Sequence, residues 1–144
     1  IPWGILVLFG GGIALALSLE KSKVLQYLAA NSEFLNEWSF VFILLVVIVV
    51  SLFATELMSN LALVSVLVPL VAVLAIQMGY SVFQLTIPLT LAASCAFMMP
   101  VSTPPNAIVF SSGKVTIAQM ASIGFFLNII AVLTLWGYCY LFLA

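Results

Sequence analysis

Long apolar runs separated by short polar interruptions dominate the chain. The runs cover residues 3–19, 40–54, 61–78, 82–99 and 117–143. Because about 20 helical residues are needed to cross roughly 30 Å of hydrocarbon, runs of this length are typical of helices that cross or enter a bilayer. The pattern predicts an all-α integral membrane protein, in which the last run is a full span and the first, residues 3–19, is a short one.

Residues 20–37 are the most polar stretch of the chain and separate the first two apolar runs. Within them, Val24, Leu25 and Leu28 recur with helical spacing, while Lys23 and Gln26 lie on the opposite face. A short helix with one apolar and one polar face favours the boundary between lipid and water. We therefore expect an interfacial helix at 20–37.

A polar hexapeptide, residues 55–60, separates the second and third apolar runs. Two arrangements fit this pattern. Either both runs cross the bilayer and the hexapeptide lies in water, or the runs form a hairpin that enters the membrane and returns to the same side. The hexapeptide contains no Gly or Pro and is not flanked by an aromatic belt, which favours the hairpin.

The fourth apolar run is followed by an unusual segment, residues 100–106, which contains three prolines, two hydroxyl side chains and an amide. Proline has no backbone N–H, and Pro104 and Pro105 disfavour a helix that continues through Thr103. The helix is expected to run from Val82 to Met99 and to stop there. A short apolar stretch follows at once, so the sequence predicts a membrane helix that is broken at residues 100–106.

These two interruptions are where binding chemistry is expected. Irregular backbone survives at membrane depth only inside protein or beside a wet cavity. An interrupted helix exposes carbonyl oxygens at one end and N–H groups at the other. The carbonyls suit a hard cation such as Na⁺, and the N–H groups suit a carboxylate. Paired discontinuous helices are a usual arrangement in transporters.

Two features of the hexapeptide have competing explanations. Glu56 is the only carboxylate inside the apolar region, and it is either a cation or proton site or a group that pairs near a hairpin tip. Ser59 and Asn60 are either ligands or side chains that bond a neighbouring helix. The sequence pattern does not decide between these alternatives.

Composition narrows the classes of function. Charged residues make up 5% of the chain, against about 25% in soluble domains, so lipid or apolar protein must cover most of its surface. There is no basic cluster for nucleic acid. No His, Asp or Arg is present and no nucleophile–base pair is visible, so an enzyme is not expected. The chain opens without Met, which we interpret as a piece of a longer polypeptide.

At three segments the sequence resembles the divalent anion/sodium symporter family. The segments are Pro2-Trp3-Gly4-Ile5 through Gly12, Thr55-Glu56 with Ser59-Asn60, and Pro100 through Ala107. The resemblance implies the C-terminal half of an inverted-repeat transporter. In that half, residues 38–78 would be a re-entrant helical hairpin entered from outside, residues 81–113 a broken transmembrane helix, and residues 117–143 a last span. It also implies a missing N-terminal repeat and a homodimer.

The family's hairpin tip carries Ser-Asn-Thr, which Ser59 and Asn60 match. By this resemblance both would contact a substrate carboxylate, and Thr103 and Pro104 would line the substrate site from the broken helix. Position 61 departs from the motif because it is Leu, which removes a hydroxyl donor and adds bulk. The departure bears on substrate identity more than on the transport mechanism.

The resemblance also implies a sodium site. The side chains of Thr55 and Asn60 would ligate Na⁺ together with backbone carbonyls near Met58 and Ser102. Na⁺ would be the coupling ion, and no other cofactor is expected.

The expected function is sodium-coupled transport of a small carboxylate anion such as succinate or malate, with elevator-type motion. The protein would be a multi-pass protein of the cell membrane (the inner membrane if bacterial). Two alternatives are a sodium-independent anion exchanger or sulfate transporter of the same architecture, and a non-transporting membrane scaffold subunit.

Overall fold

The computed structural model describes residues 38–143 continuously and, before them, residues 7, 10, 11, 14, 17, 18, 21 and 22. Of the isolated positions, all but residue 22 are helical. The expected span 3–19 and interfacial helix 20–37 otherwise lie outside the described residues.

Five helices make up the continuous part, and no strand occurs between residues 38 and 143. They are α1 Phe40–Ala54, α2 Asn60–Gln77, α3 Val82–Ala93, α4 Pro104–Ser111 and α5 Ile117–Leu143. The predicted all-α class is confirmed for this part of the chain.

The turn between α2 and α3 shows how local sequence fixes the ends of helices. Gly79 adopts φ 77°, and the N–H groups of Gly79 and Tyr80 donate to the carbonyls of Ile76 and Ala75. This is a Schellman ending, which favours glycine because other residues are strained at positive φ. Ser81 then caps α3 in a capping box with Gln84.

Helix α3 lies at the centre and packs against α1, α2 and α5. One buried cluster joins α1, α2 and α3 through residues such as Ile43, Val71 and Leu89. A second joins α1, α3 and α5. In lipid such clusters stabilise mainly through close packing, because hydrocarbon tails are as apolar as the side chains themselves. The core thus holds the two interruptions beside the last helix.

Two side-chain hydrogen bonds fasten α5 to the other helices. The indole N–H of Trp136 donates to the carbonyl of Val41 in α1 at 2.9 Å. The Gln84 amide in α3 donates to the carbonyl of Leu143, near the end of α5, at 2.7 Å. These bonds orient α5 where apolar contacts alone are non-directional.

Among the described residues, two helices are long and apolar enough to cross a membrane: α2, with a mean hydropathy of 2.2, and α5, with 1.9. Only 22% of α2, and 17% of the most apolar 18-residue stretch of α5, is buried. Most of the apolar surface of these two helices therefore faces outward. Helix α1, with 15 residues, reaches only about 22 Å at roughly 1.5 Å per residue. It is therefore shorter than the roughly 30 Å hydrocarbon core.

Candidate functional site

The turn between α1 and α2 brings three oxygens together. Thr55, which ends α1 and is fully buried, places its hydroxyl 2.6 Å from Asn60 Oδ1 and 2.9 Å from the carbonyl oxygen of Ala93 at the end of α3. A hydroxyl has one proton, so it donates to only one of these acceptors at a time. The group is therefore rich in unshared lone pairs, which is the kind of environment that suits a hard cation.

The two interruptions each end where a new helix begins with a hydroxyl cap. Ser59 caps α2 by accepting from the N–H of Ala62 at 3.2 Å, and Thr103 caps α4 by accepting from the N–H of Asn106 at 3.4 Å. Within residues 38–143 neither hydroxyl donates a hydrogen bond, so each keeps a proton for another acceptor. Together with the positive helix ends, these protons suit an anion.

Glu56 joins the two interruptions. Its side chain is only 4% exposed, and each carboxylate oxygen accepts hydrogen bonds of 2.8–3.1 Å from the second interruption or from α5. The donors are the backbone N–H groups of Phe97, Met98 and Met99, the Ser102 hydroxyl, and Asn128 Nδ2. We call this group the Glu56 network. The Glu56 carboxylate is therefore paired with hydrogen-bond donors of the second interruption and of α5.

The Glu56 network explains a difference from the expected helix boundary. The apolar run predicted a helix up to Met99, but α3 ends at Ala93, and residues 94–103 are non-helical. Three consecutive backbone N–H groups in this segment bond to the Glu56 carboxylate rather than to carbonyls one turn earlier. Because the Glu56 carboxylate accepts hydrogen bonds from these amides, they are not left unpaired where the helix ends. The segment can therefore be non-helical without the energetic cost of unpaired N–H groups.

Helix α4 is tied to the same segment by Asn106. Its side-chain amide donates to the carbonyls of Ala96 and Met99 at 2.9 and 3.1 Å. Pro104 is the first residue of α4, a position where the missing N–H is no loss. The two prolines therefore start a helix here, while the preceding helix has already ended.

Helix α5 contributes two residues that the sequence interpretation missed. Asn128 is fully buried and donates to Glu56 Oε1 at 2.8 Å. Gly124, one turn earlier, lies against the backbone of Phe97 and Met98 so closely that an added Cβ would be 2.6 Å from Met98 Cα. An amide four residues after a glycine in a long apolar helix is the signal that could have found them.

Of the remaining residues expected at the site, some form hydrogen bonds there and others are partly exposed. Asn60 meets Thr55, as described, and it is the first residue of α2. The Ser102 hydroxyl points to Glu56, at 2.8 Å from Oε2 and 3.0 Å from the main-chain oxygen. Met58 lies in the turn before Ser59 with its side chain half exposed. Leu61 is 40% exposed in the first turn of α2.

The donor atoms at the site are neutral oxygens. Among the described residues, no group of three His, Cys, Asp or Glu side chains could hold a metal ion. Hydroxyl, amide and carbonyl oxygens are hard ligands without formal charge, which fits a weakly held alkali cation better than a transition metal. Oxygens of this kind are the ligands that a hard cation such as Na⁺ takes.

Comparison with known proteins agrees with this chemistry. The family described as "Sodium:sulfate symporter transmembrane region" matches residues 1–142. A sodium-dependent dicarboxylate transporter SdcS of Staphylococcus saprophyticus is 40% identical over 135 residues, which cover 94% of this chain and 26% of the relative. The SdcS protein of Staphylococcus aureus strain USA300 is 43% identical over 131 residues, which cover 91% and 25%. The chain spans about a quarter of the length of these relatives.

Proposed function

Because the chain belongs to the family of sodium:sulfate symporter transmembrane regions, we propose that it forms part of a transporter that couples Na⁺ to the movement of a dicarboxylate across the cell membrane. The observation that carries this proposal is the meeting of two helix interruptions through Glu56, beside the oxygens of Thr55, Asn60 and Ala93. The SdcS relatives, which are sodium-dependent dicarboxylate transporters, support the choice of a dicarboxylate.

In this proposal the chain is the C-terminal inverted repeat of the transporter. Residues 38–78 enter and leave the membrane from the same side as a hairpin, and residues 81–113 form the broken helix. The short length of α1 supports a hairpin arm, because a 15-residue helix does not reach across the hydrocarbon. A preceding repeat supplies the second half of the substrate site.

The proposed cation site consists of the side chains of Thr55 and Asn60 with the backbone carbonyls of Met58 and Ser102. The Ala93 carbonyl is a further candidate ligand, because its oxygen lies 2.9 Å from the Thr55 hydroxyl. The absence of formal charge on these atoms favours an affinity weak enough for release during each transport cycle.

The proposed substrate site takes its donors from the two hydroxyl caps. Ser59 and Asn60 at the start of α2, and Thr103 and Pro104 at the start of α4, would surround a carboxylate. A succinate-like or malate-like anion has a second carboxylate for the other repeat. Leu61 narrows the site on the α2 side, which selects against bulky anions.

Transport by this architecture would be of elevator type, in a homodimer. The hairpin and the broken helix would move together as one block. Support comes from the Glu56 network, which bonds the hairpin turn to the interruption at five atom pairs and would oppose their separation.

Uptake of labelled succinate by the complete transporter, reconstituted in vesicles, tests this function. We expect uptake with an inward Na⁺ gradient and none with choline in its place. Equal uptake in both would reject sodium coupling and, if preloaded succinate accelerated it, would indicate exchange. Excess unlabelled sulfate is a needed competitor because the family description includes sulfate. Strong inhibition by sulfate, together with uptake of labelled sulfate in a parallel assay, would reassign the substrate, and no uptake of either labelled anion would favour the scaffold alternative.

Thr55→Val tests the proposed cation site. Valine keeps the shape of threonine but lacks the hydroxyl that lies between Asn60 and Ala93. We expect the Na⁺ concentration for half-maximal uptake to rise about tenfold, which corresponds to the loss of one ligand or hydrogen bond. Thr134→Ala is the matched control, because its hydroxyl is exposed and bonds only within α5. An unchanged Na⁺ dependence in Thr55→Val would remove Thr55 from the site.

A further inference from the structure

We propose that Asn128 is a positioning residue for the sodium site, acting through Glu56 from a helix that does not itself contribute a ligand. The inference rests on the proposed function, since it assumes that Thr55, Asn60 and their neighbours hold Na⁺. The inference adds a residue of α5 to those that determine the affinity for Na⁺.

Asn128 is connected to the proposed cation site through Glu56. The only hydrogen bond of its side chain within residues 38–143 goes to Glu56 Oε1, at 2.8 Å. Glu56 directly follows Thr55 in the chain, and its main-chain oxygen also accepts from Ser102 at 3.0 Å. A displacement of Glu56 therefore moves the residues on both sides of the proposed cation site.

Packing alone does not explain why an asparagine occupies position 128. Its side chain is 0% exposed, and its Oδ1 has no hydrogen-bond partner among the described residues. A buried, unpaired amide oxygen is destabilising, whereas leucine would fill such a position in an apolar helix without that penalty. The amide is therefore explained by what its Nδ2 holds, the Glu56 carboxylate.

Close backbone packing holds α5 against the non-helical segment. Gly124 sits against Phe97 and Met98 without room for a Cβ, so α5 and the non-helical segment touch backbone to backbone. Residues of that segment also bond Glu56. The carboxylate is thus held between α5 and the segment, and removal of the Asn128 bond leaves it held from one side only.

The Glu56 network is connected more directly to the proposed cation site than to the proposed substrate site. The Glu56 network reaches the Thr55–Asn60–Ala93 oxygens through Thr55 and through the segment after Ala93. The caps Ser59 and Thr103 are instead fixed by bonds inside their own helices. Loss of Asn128 should therefore weaken Na⁺ binding more than substrate binding.

Asn128→Ala in the complete transporter tests this split. We expect the Na⁺ concentration for half-maximal succinate uptake to rise about fivefold to tenfold, as for mutations in coupled networks. The succinate KM at saturating Na⁺ should stay within about twofold of the wild type. Thr134→Ala, on an exposed part of the same helix, should leave both values unchanged.

A charge exchange tests the contact itself. Asn128→Asp places a second carboxyl group where the amide now lies, 2.8 Å from Glu56 Oε1, so the pair must either repel or bind a proton, and uptake should fall strongly. Adding Glu56→Gln restores one carboxylate and one amide across the contact. We expect the double variant to regain folded protein, measured by size-exclusion chromatography, and part of the uptake. A double variant whose loss equals the combined losses of Asn128→Asp and Glu56→Gln alone would overturn the proposal.

The outcomes separate this inference from the proposed function. If wild-type uptake is the same in Na⁺ and choline, the proposed function fails and the inference fails with it. If wild-type uptake depends on Na⁺ but Asn128→Ala keeps its Na⁺ dependence within twofold of the wild type, only the inference is overturned. A change confined to succinate KM would also overturn it.

Discussion

Glu56→Ala is expected to destabilise the transporter by about 4 kcal/mol or more, because a buried donor left without its acceptor costs about 1–3 kcal/mol and several would be left at once. The substitution removes both acceptor oxygens from the amides of Phe97, Met98 and Met99. In a lipid environment water does not replace the lost acceptor. The non-helical segment would then have to find other partners or rearrange.

Thermal unfolding of the detergent-solubilised complete transporter measures this effect. Glu56→Gln should fall between the alanine variant and the wild type, since it keeps one acceptor oxygen but presents an NH₂ group to the other donors. Leu57→Ala is the neighbour control, because its side chain is 77% exposed. A Glu56→Ala variant as stable as Leu57→Ala would mean that the carboxylate does not hold the segment.

The second large effect is expected at Gly124. Gly124→Ala adds a Cβ that would overlap the Phe97 carbonyl oxygen and lie 2.6 Å from both the Phe97 carbonyl carbon and Met98 Cα. These are backbone atoms of a hydrogen-bonded segment, so they cannot move aside as a flexible side chain would. Overpacking of this kind costs about 1–3 kcal/mol. The displaced segment carries the Glu56 network with it, so transport should also fall.

Gly137→Ala is the matched control for Gly124→Ala. It lies in the same helix, and a Cβ there meets nothing within 4 Å. Helix propensity favours alanine over glycine by up to about 1 kcal/mol, so this variant should be as stable as the wild type or slightly more stable. The two unfolding temperatures, measured side by side, should move in opposite directions or differ clearly. Equal unfolding temperatures would contradict the close approach at Gly124.

Much of the helix order could be predicted from the sequence, because it follows from local pattern. The apolar runs at 40–54 and 117–143 match α1 and α5. The hydroxyl caps at Ser59 and Thr103 also follow local rules, since a serine or threonine before a helix, or before proline, satisfies N-terminal amides. These caps explain where α2 and α4 begin, although the apolar pattern did not predict a helix that starts at Pro104.

The end of α3 could not be predicted in the same way. Residues 94–99 are as apolar as the helix before them, so periodicity alone extends α3 to Met99. Helix α3 stops at Ala93 because of Glu56, which is 41 to 43 positions away along the chain from the amides it accepts. Asn128 is 72 positions from Glu56. Contacts at such separations depend on the tertiary arrangement, which no short sequence window contains.

The hydrogen bonds around residues 94–103 have a consequence for the energetics of ligand capture. They run between protein atoms: three backbone amides donate to Glu56, and the Asn106 side chain donates to two carbonyls, so the open backbone does not depend on a ligand for its shape. In the proposed function, an ion would bind there to a preorganised site and lose little of its binding free energy to chain ordering. Weak, neutral ligands can then suffice for capture, and release need not wait for a segment to refold.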